Sequence, residues 1–419
     1  MFLDPLFFFL NALARMVLLL ILDPLNAFCL IFLLLNTFGY VLILMVIERL
    51  SRKSRLVESR VDSMKSDEAE SASRPPTVSF IIPAHNEEKT IERKLKNTLT
   101  LNYPKDRLEV IVIDDGSTDK TPLILKKIQR SWFPELKVIR QSRKGKSSAE
   151  NKGLQNSKGK IVVISDADVP LDSNSLRFMV EDFNDPKVGG VTCTVKASKE
   201  NILTLNFDLG LRVRSLENEI DSAFGMAGSF VSFRKSIVSE IDERIFSSDA
   251  DTGVRIRKRG YKVVYDPRII AYVDKWVEGK PTSIIGFLKK SKHMFFGSIS
   301  MFWRHKDMLF RNRYGIFGWV IAPRRIFFNL LSPFLFVLLS INFAIKLVEN
   351  SLVVPFSLLI ALFIAIGFLS RKVAPYSIIS KALHMIFMYV MRYYAGFFYY
   401  FLFILQRKER RGVWRKYKI

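Results

Sequence analysis

The sequence predicts an α/β protein, a doubly wound domain on a parallel sheet, flanked by membrane-spanning and membrane-surface helices. Three observations predict it. From residue 78 onward, short β-rich apolar runs alternate with amphipathic stretches of helix length, the pattern of strands joined by helical crossovers. Long uncharged runs lie only outside that region. Finally, the 419 residues are 49% hydrophobic yet carry 64 Lys and Arg against 40 Asp and Glu, a net charge of +24. Apolar surface and charge are both high, so they must be segregated along the chain. This composition excludes disorder and collagen-like repeats, and it argues against an ordinary soluble enzyme. The length suits two to three domains. Two cysteines, Cys29 and Cys193, can build neither a disulfide framework nor a cysteine-type zinc site, and they point to a reducing compartment.

Residues 1–50 are expected to hold the N-terminal membrane segments. The run 27–47 has no charge and is long enough for a bilayer of about 30 Å. Arg49, Arg52, Lys53, Arg55 and Arg60 follow it, so that end is expected on the cytoplasmic side. The run 6–22 carries Arg15 and is fenced by Asp4-Pro5 and Asp23-Pro24, which leaves open a span, a re-entrant loop or an interfacial helix. There is no basic start or small-residue cleavage pattern to suggest a signal peptide. Residues 51–76, polar and ending in Arg74-Pro75-Pro76, read as a linker.

The domain proper is expected over 77–280. Strands are predicted at 78–83, 108–113, 136–139 and 160–165, and helices at 87–99, 118–129, 147–155 and from Ser173. Beyond it, 281–325 read as interfacial helices, with Gly315, Gly318 and Pro323 bending the second. Residues 326–370 read as a transmembrane hairpin made of 326–345 and 351–369, with Arg371, Lys372 and Lys381 after it. In 371–419, the apolar run 382–405 contains His384 and Arg392 and leads into a strongly basic tail. An in-plane helix suits that charge better than a span. The positive charge therefore belongs beside membrane segments. No nucleic-acid-binding signature is visible, and no nucleic-acid partner is expected.

In a parallel sheet, ligands bind beyond the carboxyl ends of the strands. Each early strand ends there in polar or acidic residues: Pro83-Ala84-His85-Asn86-Glu87, then Asp114-Asp115-Gly116-Ser117-Thr118-Asp119, then Asp166-Ala167-Asp168. Carboxylates on one rim suit a hard divalent cation shared with phosphate oxygens. Asp114 and Asp115 sit where a nucleoside is held. Asp166 and Asp168, two apart, let one reach the nucleotide and the other the metal, and Lys146 can neutralise a diphosphate. Each motif alone has a plainer reading. Asp-Gly-Ser-Thr-Asp is often a solvated turn and helix cap, Asp-x-Asp a solvated strand end, and His85 a hydrogen-bonded loop residue.

The ordered set resembles the membrane-bound family 2 glycosyltransferases, over about 77–297. IIPAHNEE is similar to that family's nucleotide-facing strand and turn, VIDDGSTD to its nucleoside-binding aspartate motif, and GKSSAENKG to its Gly-Lys…Asn-x-Gly segment. SDAD is similar to its metal-binding Asp-x-Asp. SSDADTGVRIRKRGYKVVYDP resembles the helix that carries the catalytic carboxylate, with Arg255, Gly260 and Tyr261 matching the pattern that follows. The resemblance implies a GT-A, Rossmann-like fold. It implies Asp249 as general base, and Pro83, Ala84, Asn86, Glu87, Asp115, Lys146 and Asp166 around the nucleotide sugar. It also implies Asp168 on Mg²⁺ or Mn²⁺. Asp251 is read as a helix-stabilising residue of the first turn.

Two departures stand out. Ser248 replaces the glutamate usual before the base. The stretch 288–294, with Lys289, Lys290, Lys292 and His293, stands where the family has an arginine and tryptophan motif for diphosphate and acceptor, and it has no tryptophan. Those cations can meet phosphate or lipid headgroups. The expected activity is inverting, metal-dependent transfer from a nucleoside diphosphate sugar, a UDP-sugar by preference, to a membrane lipid. The enzyme would be integral to the plasma membrane with its catalytic domain in the cytoplasm. A processive polysaccharide synthase, which would bind a glycan acceptor, is the alternative. A catalytically silent nucleotide-binding subunit and an Asp166-based phosphotransferase explain fewer of the motifs. No Gly-x-Gly-x-x-Gly follows the first strand, which disfavours a dinucleotide oxidoreductase.

Overall fold

The computed structural model describes residues 3–50, 74–197, 204–245, 247–273, 284–361, 390 and 393–399, with the side chains of 3–9, 37–38, 197, 204–209 and 284–294 outside the description. The chain forms two compact units. One comprises Leu44–Pro281 with Trp303–Pro323, the other Met1–Ile43, Thr282–Phe302 and Arg324–Ile419.

The first unit is a seven-stranded sheet with helices on both faces. Strands β1 (Val78–Ala84), β2 (Leu108–Asp115), β3 (Lys137–Gln141) and β4 (Ile161–Ile164) are followed by β5 (Val188–Ala197), β6 (Val231–Arg234) and β7 (Lys262–Val273), in the order β3-β2-β1-β4-β6-β5-β7. Because side chains alternate across a strand, the continuous apolar runs feed two cores. Phe80, Ile82, Val110, Val112 and Val163 enter one, and Ile81, Ile111, Ile113, Val162 and Ile164 the other. The four strands read from sequence are all present and mutually parallel.

The remainder departs from an all-parallel sheet: β6 runs antiparallel to both β4 and β5. The physical reason is local. β6 starts at the rim where β4 ends, and Ser165 Oγ donates to Ser229 O at 2.8 Å, so the loop that opens β6 lies beside the carboxyl end of β4. Helix boundaries shift for equally local reasons. The helix expected from Glu87 begins at Ile91, because Glu87 to Thr90 form a turn closed by Thr90 Oγ1 on Glu87 Oε2 at 2.5 Å. The helix expected from Thr118 begins at Thr121, with Pro122 in its first turn where no backbone donor is needed.

In the second unit, helices Leu3–Leu22 and Pro24–Leu34 meet at Asp23, and the Leu10–Leu22 stretch makes an angle of 82° with the next helix. Asp23 caps the second by accepting from Asn26 N at 2.9 Å, and Asn342 Nδ2 donates to both Asp23 Oδ1 (2.8 Å) and Asn26 Oδ1 (3.1 Å). A polar knot thus satisfies the broken ladder inside apolar surroundings. Helical backbone continues to residue 50 through a π-helical turn, Leu35–Gly39.

Among the described residues, one helix, Phe317–Glu349, is long and apolar enough to cross a membrane, and the bent pair passes the same test only when joined. The sequence suggests interfacial helices over 281–325 and then a span over 326–345. Instead one helix runs across that boundary, because π-turns at Phe317–Ile321 and Pro323–Phe328 absorb the loss of the Pro323 donor without ending it. The segment 51–73, the second arm of the expected hairpin beyond residue 361, and most of 371–419 lie outside the described residues.

Candidate active site

The loops after β1 and β2 are stitched to each other. Asn86, at φ 57°, donates from its backbone to Ser117 Oγ (3.0 Å) and accepts from Thr118 N (2.8 Å). Glu87 N donates to Thr121 Oγ1 at 2.8 Å, and His85 Nδ1 meets Asp115 O at 3.0 Å. Ala84 is buried in register with Asp114, and Pro83 is half-buried beside it. Asp114 accepts from Ser117 N at 2.9 Å and pairs with Arg140, so it shapes the turn. Gly116, at φ 69°, is required there, since a Cβ would lie 2.6 Å from the Arg143 backbone nitrogen.

Asp115 is buried, and four donors fill its carboxylate. They are Gln141 Nε2 (2.8 Å), Lys144 N (2.9 Å), Gly145 N (2.8 Å) and Arg143 Nη1 (2.5 Å). Burial works to raise its pKa, but these four donors outweigh it and hold the carboxyl below its ordinary value. Among these partners the Arg143 side chain is half exposed while Asp115 is buried.

In the Gly-Lys…Asn-x-Gly segment the roles divide. Asn151 pins the helix Lys146–Asn156 to Ile241 through paired bonds of 2.7 Å. Gly153 lets that helix approach β1, where a Cβ would lie 2.4 Å from Ile81. Lys146 alone faces the rim. Its Nζ lies 2.5 Å from Asp166 Oδ1 and 4.0 Å from Glu150 Oε1. Burial works against its charge, yet Asp166 and Glu150 prevail and raise its pKa.

Asp166 and Asp168 follow β4 with Ala167 buried between them, and both are half-buried. Beneath this turn lies a residue that sequence reasoning missed. Lys94 is fully buried, donating to Ser165 Oγ and Val169 O at 2.6 Å each, with its ammonium 5.3 Å from the centre of the Phe80 ring. Burial pulls its pKa down to about 7 against the opposing pull of Asp166 and Asp168.

Asp249 sits in the first turn of the helix Ser248–Lys258. Its Oδ1 accepts from Ala250 N at 2.9 Å, and its Oδ2 and the Lys146 ammonium form a close-walled cradle over the Cβ-less Gly228. A Cβ at Gly228 would stand 3.3 Å from Asp249 Oδ2 and 3.5 Å from Lys146 Nζ. The helix reaches this place because Gly225 and Gly253 pack backbone to backbone, where a Cβ on Gly253 would lie 2.8 Å from the Gly225 Cα. Burial raises the Asp249 pKa, opposed by the Ala250 N–H, Lys146 and Arg214.

Asp251 points the other way and is fully buried, taking His305 Nε2 at 2.8 Å and Arg304 Nε at 3.1 Å. A carboxylate only accepts, so the His305 proton is on Nε2. Burial keeps His305 below its usual pKa. Arg255 donates to Glu240 O at 2.9 Å, and Gly260, at φ 89°, follows the helix end.

Ser248 is also explained in part. Its Oγ donates to Glu150 Oε2 at 3.4 Å, so a carboxylate stands beside this position although it comes from another helix. Burial raises the Glu150 pKa to about 7, with Lys146 opposing and Asp166 and Asp249 adding to it. Lys289, Lys290, Lys292 and His293 fall on the helix Ile284–His305, in the stretch whose side chains lie outside the described residues.

These features place Asp115, Lys146, Asp166, Asp168 and Asp249 on one rim. A model of glycosyl transferase family group 2 matches residues 161–405, more than half of the chain, and one of glycosyl transferase family 2 matches 79–242. The chain is a family 2 glycosyltransferase. It is 30% identical over 212 residues to a poly-β-1,6-N-acetyl-D-glucosamine synthase of Staphylococcus aureus, covering 47% of this chain and 49% of that one. It is 28% identical over 245 residues to a Bacillus subtilis protein named as the probable glycosyltransferase YdaM, covering 51% and 57%. The chain thus spans about half the length of these curated relatives. The mannosyltransferase PcManGT of Pyrobaculum calidifontis, solved with GDP-Man and Mn²⁺, superposes with a TM-score of 0.64 at 21% identity, over 94% of this chain and 99% of that one. The GT-A glycosyltransferase fold is therefore shared.

The expected divalent cation fits this donor set in one particular way. Among the described residues no three Asp, Glu, His or Cys side chains converge on a cage. Mg²⁺ and Mn²⁺ are commonly held by one or two carboxylates plus phosphate oxygens and water. Asp168, with Asp166 beside it, suits that arrangement.

Proposed function

We propose that this glycosyltransferase is membrane-integral, inverting and metal-dependent, and moves a sugar from a nucleoside diphosphate sugar to a hydroxyl of a membrane lipid. The observation that carries the reading is the cradle over Gly228, which has Asp249 Oδ2 on one side and Lys146 Nζ on the other. An acceptor hydroxyl entering there meets the carboxylate that takes its proton. Burial makes that carboxylate a stronger base than an exposed one. General-base assistance of this kind is worth roughly 10²–10⁴-fold. Lys146 faces the leaving diphosphate and stabilises its developing charge. A divalent cation held by Asp168 supplies further neutralisation of that diphosphate when bound. Single displacement inverts the anomeric centre, so an α-linked donor gives a β product.

UDP-sugars are the preferred donors and GDP-sugars the next to try, since PcManGT was solved with GDP-Man. Membrane attachment rests on Phe317–Glu349 and on the basic clusters beside apolar runs, which favour a cytoplasmic catalytic domain. A lipid acceptor is favoured by the missing tryptophan in 288–294. The second reading, a processive polysaccharide synthase, is favoured by the poly-β-1,6-N-acetyl-D-glucosamine synthases among the relatives. The test is to supply nanodisc-held protein with lipid extract, Mn²⁺ and labelled UDP- or GDP-sugars. Label in the organic phase supports the lipid acceptor, and label in high-mass aqueous polymer refutes it in favour of the synthase.

A further inference from the structure

We propose that Lys146 is an internal counter-cation that makes the site select a metal–diphosphate complex over the free metal ion. The inference deepens the functional reading above and rests on it. The Lys146 ammonium lies 2.5 Å from Asp166 Oδ1 and 4.0 Å from Glu150 Oε1, and it shares the cradle over Gly228 with Asp249 Oδ2. One ammonium therefore serves three carboxylates. Asp166 is two residues from Asp168 on the turn after β4, so the lysine already occupies the field that a divalent cation would enter.

A cation arriving alone meets a positive charge held at contact distance from Asp166, and among the described residues no group of three or more Asp, Glu, His or Cys side chains stands ready to hold it. A cation arriving with a diphosphate brings its own anionic oxygens. Lys146 then has a second anion to turn to, and Asp166 is released toward the incoming complex. The lysine is built for that exchange. Its side chain is 48% exposed, and a flexible four-carbon stem carries a compact charge that can change partners without rebuilding a bidentate geometry. Glu150, one helical turn on and buried, keeps the ammonium on this side of the helix while it does so.

The experiment measures Mn²⁺ alone, by loss of the free-ion electron paramagnetic resonance signal, on the full chain in nanodiscs. Wild type is compared with Lys146→Met and Lys146→Gln, each with and without Asp168→Asn, and then with UDP or GDP added. The expected result is that both lysine variants bind Mn²⁺ alone about tenfold or more tightly than wild type, the direction Coulomb's law requires. Asp168→Asn abolishes that gain, and a nucleoside diphosphate tightens Mn²⁺ binding more in wild type than in the lysine variants. Unchanged or weaker Mn²⁺ binding in both lysine variants overturns the proposal, as does a gain that survives Asp168→Asn. If the variants tighten Mn²⁺ but neither UDP nor GDP alters its binding in any protein, Lys146 stands as counter-cation and the nucleoside diphosphate reading falls instead.

Discussion

The two halves of the rim are built on opposite principles. Around β1–β3 the polar groups satisfy one another: Asn86 with Thr118, Glu87 with Thr121, and Asp115 with four donors. Around β4, β6 and the Ser248–Lys258 helix, charges are gathered but not saturated. Lys146 serves three carboxylates, and Asp249 Oδ2 approaches Gly228 beside it. The first half is a framework whose polar groups are already satisfied. The second holds the carboxylates whose pKa burial raises, Glu150 and Asp249, and on the proposed function it is the reacting half. A dense motif is therefore no measure of how free its side chains are to bind.

The sharpest way to break this contrast is to fill the cradle. Gly228→Val would place methyl groups between Asp249 and Lys146, and turnover is expected to fall about 100-fold or more while the fold persists. The matching measurement is initial rate against melting temperature. Next comes the clamp on the helix that carries Asp249. His305→Leu leaves the buried Asp251 one donor short and should cost about 1–3 kcal/mol of stability with a loss of turnover. His305→Gln, which restores an Nε2 donor, should recover most of both. Equal damage from the two would show that ring packing matters and the hydrogen bond does not.

In the saturated half, Gly116→Ala should cost roughly 1 kcal/mol or more through its positive φ and the crowded Arg143 nitrogen. It should weaken binding of nucleoside diphosphates more than it slows turnover at saturating donor. The smallest effect is a slope. Burial raises Glu150 from 4.5 to about 7 in the folded protein, so its contribution favours folding below about 4.5 and is lost as pH rises through about 7. Glu150→Gln should flatten the decline of melting temperature across that window. A decline as steep as in wild type would contradict the assigned environment.

Much of this was legible in the sequence, for particular reasons. Continuous runs such as VSFII and LEVIVI announce strands buried on both faces, and acidic strand ends mark the rim. Asp166, Asp168 and Lys146 are singled out by that rule and by motif order, and Asp249 only by the family resemblance. What stayed hidden depends on contacts between distant segments. Nothing local marks Lys94 as the ammonium beneath the Asp166–Asp168 turn, since its partners Ser165 and Val169 lie on another element. Glu150 beside Ser248 and His305 on Asp251 are hidden for the same reason. The reversed β6 is four residues long, too short for periodicity to give it a direction.

The central claim is that the rim separates holding from reacting, with Asp249 on the reacting side. The most direct measurement compares wild type with Asp249→Asn, for UDP and GDP affinity in the presence of Mn²⁺ and for label transferred from the matching sugar nucleotides. Transfer reduced by roughly 10²–10⁴-fold with nucleotide affinity preserved is the predicted result. Transfer that persists in Asp249→Asn, or nucleotide affinity that collapses with it, would contradict the account.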